Sequence, residues 1–268
     1  MSQLPPAQRP TQTRRRFASL RTISALVMRE MATSYGRSPG GYLWAVIEPA
    51  AGIALLSALF SLGFRNPAIG TNFAIFYATG LVPFMMFTDL SNKVAMALLF
   101  SKPLLNYPSV TFLDALLGRF IVNFLTQIMV SYVVFVGILM MFETRTIPQV
   151  SGIALATVMG ATLAFGVGTV NAVLFTAFPI WQRVWSILTR PLVLLSGVIF
   201  IFDNVPQPYR DYLWWNPLIH VVGKMRDSFY PTYDSSYVSY AYLFGVSAIL
   251  MLFGLIFLRR YHRDILDF

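Results

Sequence analysis

Six long apolar stretches constrain this chain more than any other feature of its sequence. Each stretch reaches the roughly 20 residues that a helix needs to cross the hydrocarbon core of a bilayer. The predicted spans are 42–64, 73–100, 120–142, 150–180, 184–202 and 237–258. With 56% hydrophobic and 12% charged residues, the composition excludes a soluble enzyme. We predict an all-α membrane protein with six transmembrane helices and both termini on one side.

The distribution of basic residues predicts which side the termini occupy. Six spans place 15 of the 20 Lys and Arg residues on the side of the termini. The five on the opposite side are Arg65, Arg145, Arg210, Lys224 and Arg226. Because positively charged loops stay in the cytoplasm, both termini are predicted to be cytoplasmic.

The N-terminal 37 residues are not predicted to cross the membrane. Residues 1–13 are rich in Pro, Gln and Thr and are predicted to form a flexible cytoplasmic tail. Residues 14–37 alternate apolar residues at helical spacing with Arg, which predicts an amphipathic helix on the cytoplasmic surface. This helix is either a lipid anchor alone or an anchor that also docks a cytoplasmic partner. Residues 38–268 form the six-span domain.

Four charged residues lie inside the predicted spans: Glu48, Asp89, Lys93 and Arg190. Glu48 precedes Pro49, which bends the helix. Its carboxylate either remains solvated near the membrane interface beside this kink or faces a water-filled path. Asp89 and Lys93 are four residues apart, so we expect them to form an ion pair on one helix face.

The segment 203–236 is too polar to span and too aromatic for a solvated loop. Its rings fit either a belt of short helices at the outer interface or a re-entrant pair of helices that lines an exit path. We favour the re-entrant pair between the fifth and sixth spans.

The sequence contains no recognisable catalytic machinery. No phosphate-binding loop occurs, since the glycines at 36 and 41 are followed by Tyr42 instead of Lys. The chain has no Cys and only two His residues, so we predict neither a metal site nor a catalytic residue. Energy for uphill movement would come from a partner or from an ion gradient, and the spans hold few acidic groups for the latter.

Four strings carry a family resemblance. They are Gly-Tyr-Leu-Trp-Ala-Val-Ile-Glu-Pro at 41–49, Gly-Leu-Val-Pro-Phe at 80–84, Asn-Tyr-Pro-Ser-Val at 106–110 with Asp114 and Arg119, and Leu-Trp-Trp-Asn-Pro-Leu-Ile-His-Val-Val at 213–222. In this order, within a six-span frame from about residue 17 onward, they resemble the capsular polysaccharide export permeases, which are membrane subunits of ABC-2-type exporters.

The resemblance implies a homodimeric half-transporter in the bacterial inner membrane that moves lipid-linked, capsule-type polysaccharide to the periplasm. Two copies of a separate ATP-binding subunit would hydrolyse ATP, so the chain itself needs no cofactor, and ATP and Mg belong to that partner. The resemblance assigns contact with the ATPase to Arg29, Glu30, Tyr35, Arg37, Lys102, Asn106, Tyr107, Pro108 and Asp114. It assigns the polysaccharide path and its periplasmic gate to Tyr42, Trp44, Glu48, Phe84, Phe87, Tyr212, Trp214, Trp215 and Asn216.

Other functions stay open at this point. The exported polymer could be another lipid-linked glycan, such as O-antigen or teichoic acid. An ion-coupled carrier, a passive channel and a structural scaffold are the remaining alternatives. Membrane lipids and periplasmic and outer-membrane export proteins are expected partners, and nucleic acid is not.

Overall fold

A computed structural model describes residues 18–34, 41–105 and 110–266 of the chain, with only the backbone at 18, 20, 33, 34, 42 and 261–266. Regular structure in these residues is entirely helical. The helices are α1 (Ala18–Ser34), α2 (Gly41–Gly63), α3 (Phe73–Ala95), α4 (Ala97–Leu105), α5 (Phe112–Met141), α6 (Val150–Ala177), α7 (Pro179–Leu195), α8 (Tyr209–Trp214), α9 (Pro217–Asp227) and α10 (Tyr240–Leu266). A 3-10 turn at Phe202–Asn204 precedes α8.

Polar residues define where several helices begin. Asn72 caps α3 by accepting the backbone N–H of Ala74 over 2.8 Å. Thr111 and Asp114 form a reciprocal capping box at the start of α5. Asn216 caps α9 immediately before a proline in the first turn, a position that proline favours.

Five helical segments are long and apolar enough to cross a membrane. They are Leu43–Gly63, Phe73–Leu105, Phe112–Met141, Val150–Ala177 and Tyr240–Arg260. The predicted fifth span, 184–202, differs from the observed helix α7, which has 17 residues and begins and ends earlier. At 1.5 Å per residue, α7 is about 25 Å long, slightly short of the roughly 30 Å hydrocarbon core. The helix stops before Gly197, whose φ of 75° is the left-handed conformation typical of helix ends.

Helix α3 is the centre of the packed core and runs parallel to α6. Ile75 and Leu90 of α3 are completely buried. A Cβ atom at Gly160 of α6 would lie 2.6 Å from Met86 Cε, and one at Gly168 would lie 2.7 Å from Val94 Cβ. Small residues at these two levels therefore allow α6 to approach α3 closely.

Helix α10 packs on α6 in the same direction. A Cβ atom at Gly166 would lie 2.6 Å from the carbonyl oxygen of Ser247. Further along both helices, a Cβ atom at Gly254 would lie 2.7 Å from the carbonyl carbon of Thr169. Since α6 and α10 are parallel, the residues between them return to the level at which α6 begins.

Helix α9 packs only against the first turns of α6, near the end at which α6 begins. Its C-terminal neighbour Ser228 contacts Gly152, and Val221 contacts Gly160. These contacts are about 12 Å apart along α6. Together with α8, which precedes it, α9 therefore occupies one end of the helix bundle.

Candidate functional site

A cavity of about 390 Å³ lies between α2, α3 and α5. Its lining residues are Gly41, Trp44, Ala45, Glu48, Pro49, Val82, Met85, Thr88, Asp89, Asn92, Lys93, Gln127 and Val130. Asp89 lies about 24 Å along α3 from Phe73, so the cavity lies within the membrane-spanning length of α3 and toward its C-terminal end. Charged groups at such depth are costly in lipid and typically face protein or a water-filled path.

The expected ion pair between Asp89 and Lys93 does not form. Gln127 of α5 instead donates its Nε2 hydrogen to Asp89 Oδ2 over 2.8 Å. Helical spacing allowed the pair, but Asp89 faces α5, where an amide partner from another helix satisfies the carboxylate. Both charged side chains line the cavity.

Two of the predicted path residues meet at this cavity. Trp44 and Glu48 line it, and both are exposed, Trp44 by 62%. Phe84 and Phe87 lie elsewhere on α3, buried in the core with 7% and 3% exposure. The side chain of Tyr42 lies outside the described residues.

The remaining predicted path residues lie together at the junction of α8 and α9, a group we call the aromatic turn: Tyr212, Trp214, Trp215 and Asn216. Tyr212 and Trp215 are exposed by 73% and 67%. Trp214 is held in place, because its Nε1 donates to the carbonyl oxygen of Tyr237 over 3.0 Å. Asn216 Nδ2 donates to the carbonyl oxygen of Leu195 over 2.9 Å, which joins the turn to the end of α7.

His220 fixes the aromatic turn to the start of α10. The backbone N–H of Ser239 donates to His220 Nδ1 over 3.1 Å, so Nε2 carries the proton and donates to the carbonyl oxygen of Trp214 over 2.9 Å. Burial lowers the pKa of His220, while its hydrogen bond to Trp214 acts in the opposite direction. The neutral imidazole is therefore a structural bridge, and the described residues contain no group of three or more metal-ligating side chains.

Arg226 is a residue of this region that sequence reasoning overlooked. It is only 1% exposed, and its guanidinium donates to the carbonyl oxygens of Phe200 over 2.5 Å and Val198 over 2.8 Å. The guanidinium carbon also lies 4.5 Å from the ring centroid of Phe76 on α3. Arg226 thus joins α9, α3 and the chain that follows α7. The available signal was a basic residue one position after the apolar Met225, close behind the largely apolar run 218–223.

A second cluster joins α1 to α4 and α5, and we call it the α1–α5 cluster: Arg29, Glu30, Phe100 and Arg119. Glu30, an expected ATPase-contact residue, is 4% exposed and its Oε1 lies 3.5 Å from Arg119 Nε. The guanidinium carbons of Arg119 and Arg29 lie 4.2 and 5.1 Å from the ring centroid of Phe100. The cluster positions α1 firmly against the bundle.

The other expected ATPase-contact residues fall into two groups. Lys102 is partly buried on α4. Asp114 is buried, and its Oδ2 accepts the backbone N–H and the hydroxyl of Thr111 over 3.0 and 2.8 Å, so this carboxylate caps its own helix. Tyr35, Arg37, Asn106, Tyr107 and Pro108 lie outside the described residues.

Comparison with known proteins identifies the family. Residues 21–230, most of the chain, match the ABC-2 type transporter. The chain belongs to the ABC-2 type transporter family. The resemblance carried by the four sequence strings is thereby confirmed.

Several relatives match this ABC-2 permease over nearly their whole length. It is 32% identical over 234 residues to the polysialic acid transport protein KpsM of Escherichia coli, covering 87% of this chain and 91% of the relative. It is 25% identical over 246 residues to the capsule polysaccharide export inner-membrane protein BexB of Haemophilus influenzae, covering 91% and 92%. It is 25% identical over 239 residues to the O-antigen export system permease protein RfbA of Klebsiella pneumoniae, covering 87% and 89%.

Proposed function

We propose that this ABC-2 permease is the membrane subunit of an ATP-driven exporter that moves lipid-linked, capsule-type polysaccharide from the cytoplasm to the periplasm. The observation that carries the proposal is the similarity, across about nine tenths of the chain, to proteins named for polysialic acid transport and capsule polysaccharide export. Two copies form the path, and both termini lie in the cytoplasm.

Six crossings fit the packing better than five. Helices α6 and α10 are parallel, so the chain between them must return across the bundle, and α7 is the helix available for that return. Its length of about 25 Å approaches the thickness of the hydrocarbon core. Helices α8 and α9 then form a re-entrant pair on the periplasmic side.

Energy enters from a separate ATP-binding subunit on the cytoplasmic face. The sequence has no phosphate-binding loop, so ATP and Mg are held by that partner. The α1–α5 cluster supports this coupling, because a helix held to the bundle by Glu30, Arg119 and Phe100 can transmit force from a docked subunit.

The polymer passes between two copies of the chain. A cavity of about 390 Å³ within one copy is too small for a long hydrated polymer. The exposed rings of Tyr212 and Trp215 support a role for the aromatic turn as the periplasmic gate, because aromatic faces offer sugars a broad apolar surface with wet edges.

A second candidate is export of another lipid-linked glycan. The similarity to RfbA, which is named for O-antigen export, favours this alternative over an ion-coupled carrier or a passive channel. The two glycan candidates share the fold, the partner and the mechanism and differ in the polymer.

Deleting the gene in its bacterium tests the proposal. We expect surface capsule to disappear and lipid-linked capsule polymer to accumulate inside the cell. Normal capsule with trapped O-antigen would identify the second candidate, and normal amounts of every surface glycan would refute both. The ATP-binding subunit should co-purify with the complementing chain, and transport without such a subunit would contradict the energy source.

Complementation with point variants tests the aromatic turn. Trp215→Ala should lower the export rate roughly threefold to tenfold, the kinetic equivalent of losing one aromatic contact. Tyr209→Ala is the matched control, since Tyr209 is a similarly exposed ring, by 65%, on the same segment but outside the turn. Equal export by both variants would remove the aromatic turn from the path.

A further inference from the structure

Two exposed, opposite charges lie within apolar helices of this chain. Glu48 of α2 and Arg190 of α7 are both exposed, and neither has a hydrogen-bonding or ionic partner among the described residues. A charged residue in the middle of a membrane helix costs about 2.5–3.5 kcal/mol on insertion scales. Lys93 lines the same cavity as Glu48, but the described residues form no ion pair between them. A second copy of the chain can therefore supply the missing partner of each charge.

The helices that carry these charges are also the least covered by the bundle. Helix α7 has no buried residue, and only 11% of the most apolar stretch of α2 is buried. Arg183, Ser186 and Arg190 follow one another at helical spacing, so they form a single polar stripe along α7. Lipid covers an apolar face at no cost, but it does not satisfy a carboxylate or a guanidinium.

Arg190 lies at the depth of the cavity that Glu48 lines. Trp181 Nε1 donates to Asn171 Oδ1 over 3.0 Å, which aligns the start of α7 with the end of α6. Arg190 follows nine residues later, about 14 Å along the helix. The same distance back along α6 reaches Thr162, two residues after Gly160, which lies against Met86 of α3.

A separate contact gives the same depth. Val198, eight residues after Arg190, lies against Gly80 of α3. Arg190 lies about 8 Å before the end of α7 at Leu195, and Thr88, which lines the cavity beside Asp89, lies about 12 Å beyond Gly80 along α3, on the same side of this contact. A two-fold axis along the membrane normal keeps every residue at the same depth in both copies, so Arg190 of a second copy also lies at this level.

The cavity has the charge and the space for a guanidinium. Glu48 and Asp89 outnumber Lys93 in its lining, which gives a net charge of minus one. A guanidinium presents five donors, and a carboxylate accepts two of them side by side. A volume of about 390 Å³ exceeds what one side chain needs.

We propose that Arg190 of one copy enters the cavity of the other and pairs with Glu48, so that two equivalent ion pairs join α2 of each copy to α7 of its partner. This inference rests on the proposed homodimer and names its contact. The pair satisfies both membrane-buried charges and fixes the relative depth of the two copies.

Disulfide trapping tests the contact directly, because the natural chain has no cysteine. A chain carrying both Glu48→Cys and Arg190→Cys should form covalent dimers in membranes on mild oxidation, and each single variant should not. The matched control replaces Arg190→Cys with Arg183→Cys, which lies about 10 Å from Arg190 along the same exposed helix. Equal trapping by the control would contradict the assigned depth.

Charge exchange provides an independent readout. Glu48→Arg and Arg190→Glu should each weaken dimerisation by about tenfold or more in detergent, and the doubly exchanged chain should regain most of it. Absence of both trapping and rescue, in a chain that still dimerises and exports polymer, would overturn the ion pair and leave the proposed function intact.

A wild-type chain that is monomeric in its complex with the ATP-binding subunit would instead refute the homodimer itself. Labelling of Arg190→Cys by a water-soluble thiol reagent in the assembled exporter would place this residue in the polymer path and overturn the pair.

Discussion

At the scale of single residues, Arg226 links the position of the aromatic turn to the core. Its guanidinium donates to the carbonyl oxygens of Val198 and Phe200, which belong to the irregular chain after α7. Hydrogen bonds to a charged group contribute about 1.5–3 kcal/mol each. Val198 is buried and Phe200 is partly buried, so little solvent is available to replace the donor. One side chain therefore orders a segment that has no regular secondary structure of its own.

Replacing Arg226 tests this role. Arg226→Met should lower the thermal unfolding midpoint of the purified protein strongly, since two carbonyl groups lose their donor at a cost of about 1.5–3 kcal/mol each. Arg210→Met is the control, because Arg210 pairs with Asp203 at a half-exposed site where an ion pair contributes only about 0–1 kcal/mol. Unfolding curves measured in detergent by tryptophan fluorescence compare the two. Equal midpoints for wild type and Arg226→Met would contradict the assignment.

At the scale of the elements, the length of each apolar run predicts most of the long helices but does not predict where a helix ends within such a run. The predicted span 150–180 agrees closely with α6, because a charge-free run bounded by polar residues leaves little choice. The predicted end at Phe202 fails since the apolar run continues past Gly197, and periodicity does not reveal a left-handed glycine. The Asp89–Lys93 pair failed for a similar reason, because spacing within one helix does not show the amide that α5 supplies.

The close contact between α6 and α3 gives an element-scale prediction. Gly168→Ala places a Cβ atom 2.7 Å from Val94 Cβ and 2.9 Å from the carbonyl oxygen of Ser91, so the helices must separate. Overpacking of this kind costs about 1–3 kcal/mol. Gly137→Ala on α5 is the matched control, since no atom lies within 4 Å of its new Cβ and alanine favours helix by up to about 1 kcal/mol. Denaturation in mixed micelles should show opposite shifts, and a stable Gly168→Ala protein would contradict this packing.

At the scale of the whole molecule, the structure brings together some of the residues that the sequence singled out and separates others. Trp44 and Glu48 were selected from one string, and the structure places both at one cavity, while Phe84 of the next string and Phe87, three residues after it, are buried. Exposure depends on how α3 packs against other helices, and a single string does not encode that. Arg226 and Arg119 were counted as surface charges for orientation, yet both take part in buried or partly buried clusters. Charge counting predicts the side of the membrane and does not predict the contacts.

The number of crossings is the prediction that decides the arrangement of the whole molecule. With six crossings, α7 spans the membrane and the end of α10 lies in the cytoplasm, on the same side as α1. With five crossings, the two termini lie on opposite sides. A green fluorescent protein fused after residue 268 should fluoresce, because this reporter folds in the cytoplasm and fails to fold in the periplasm when it is exported unfolded.

Single cysteines provide the control, since the natural chain has no cysteine. Glu143→Cys and Asp234→Cys lie at the end of the bundle where α6 begins, and both should react with an impermeant maleimide in intact cells. Met31→Cys, which is 49% exposed on α1, should react only after lysis. A dark fusion with Met31→Cys still protected would mean five crossings. That result would contradict the parallel packing of α6 and α10 and would overturn α7 as a membrane-crossing helix that faces the partner copy.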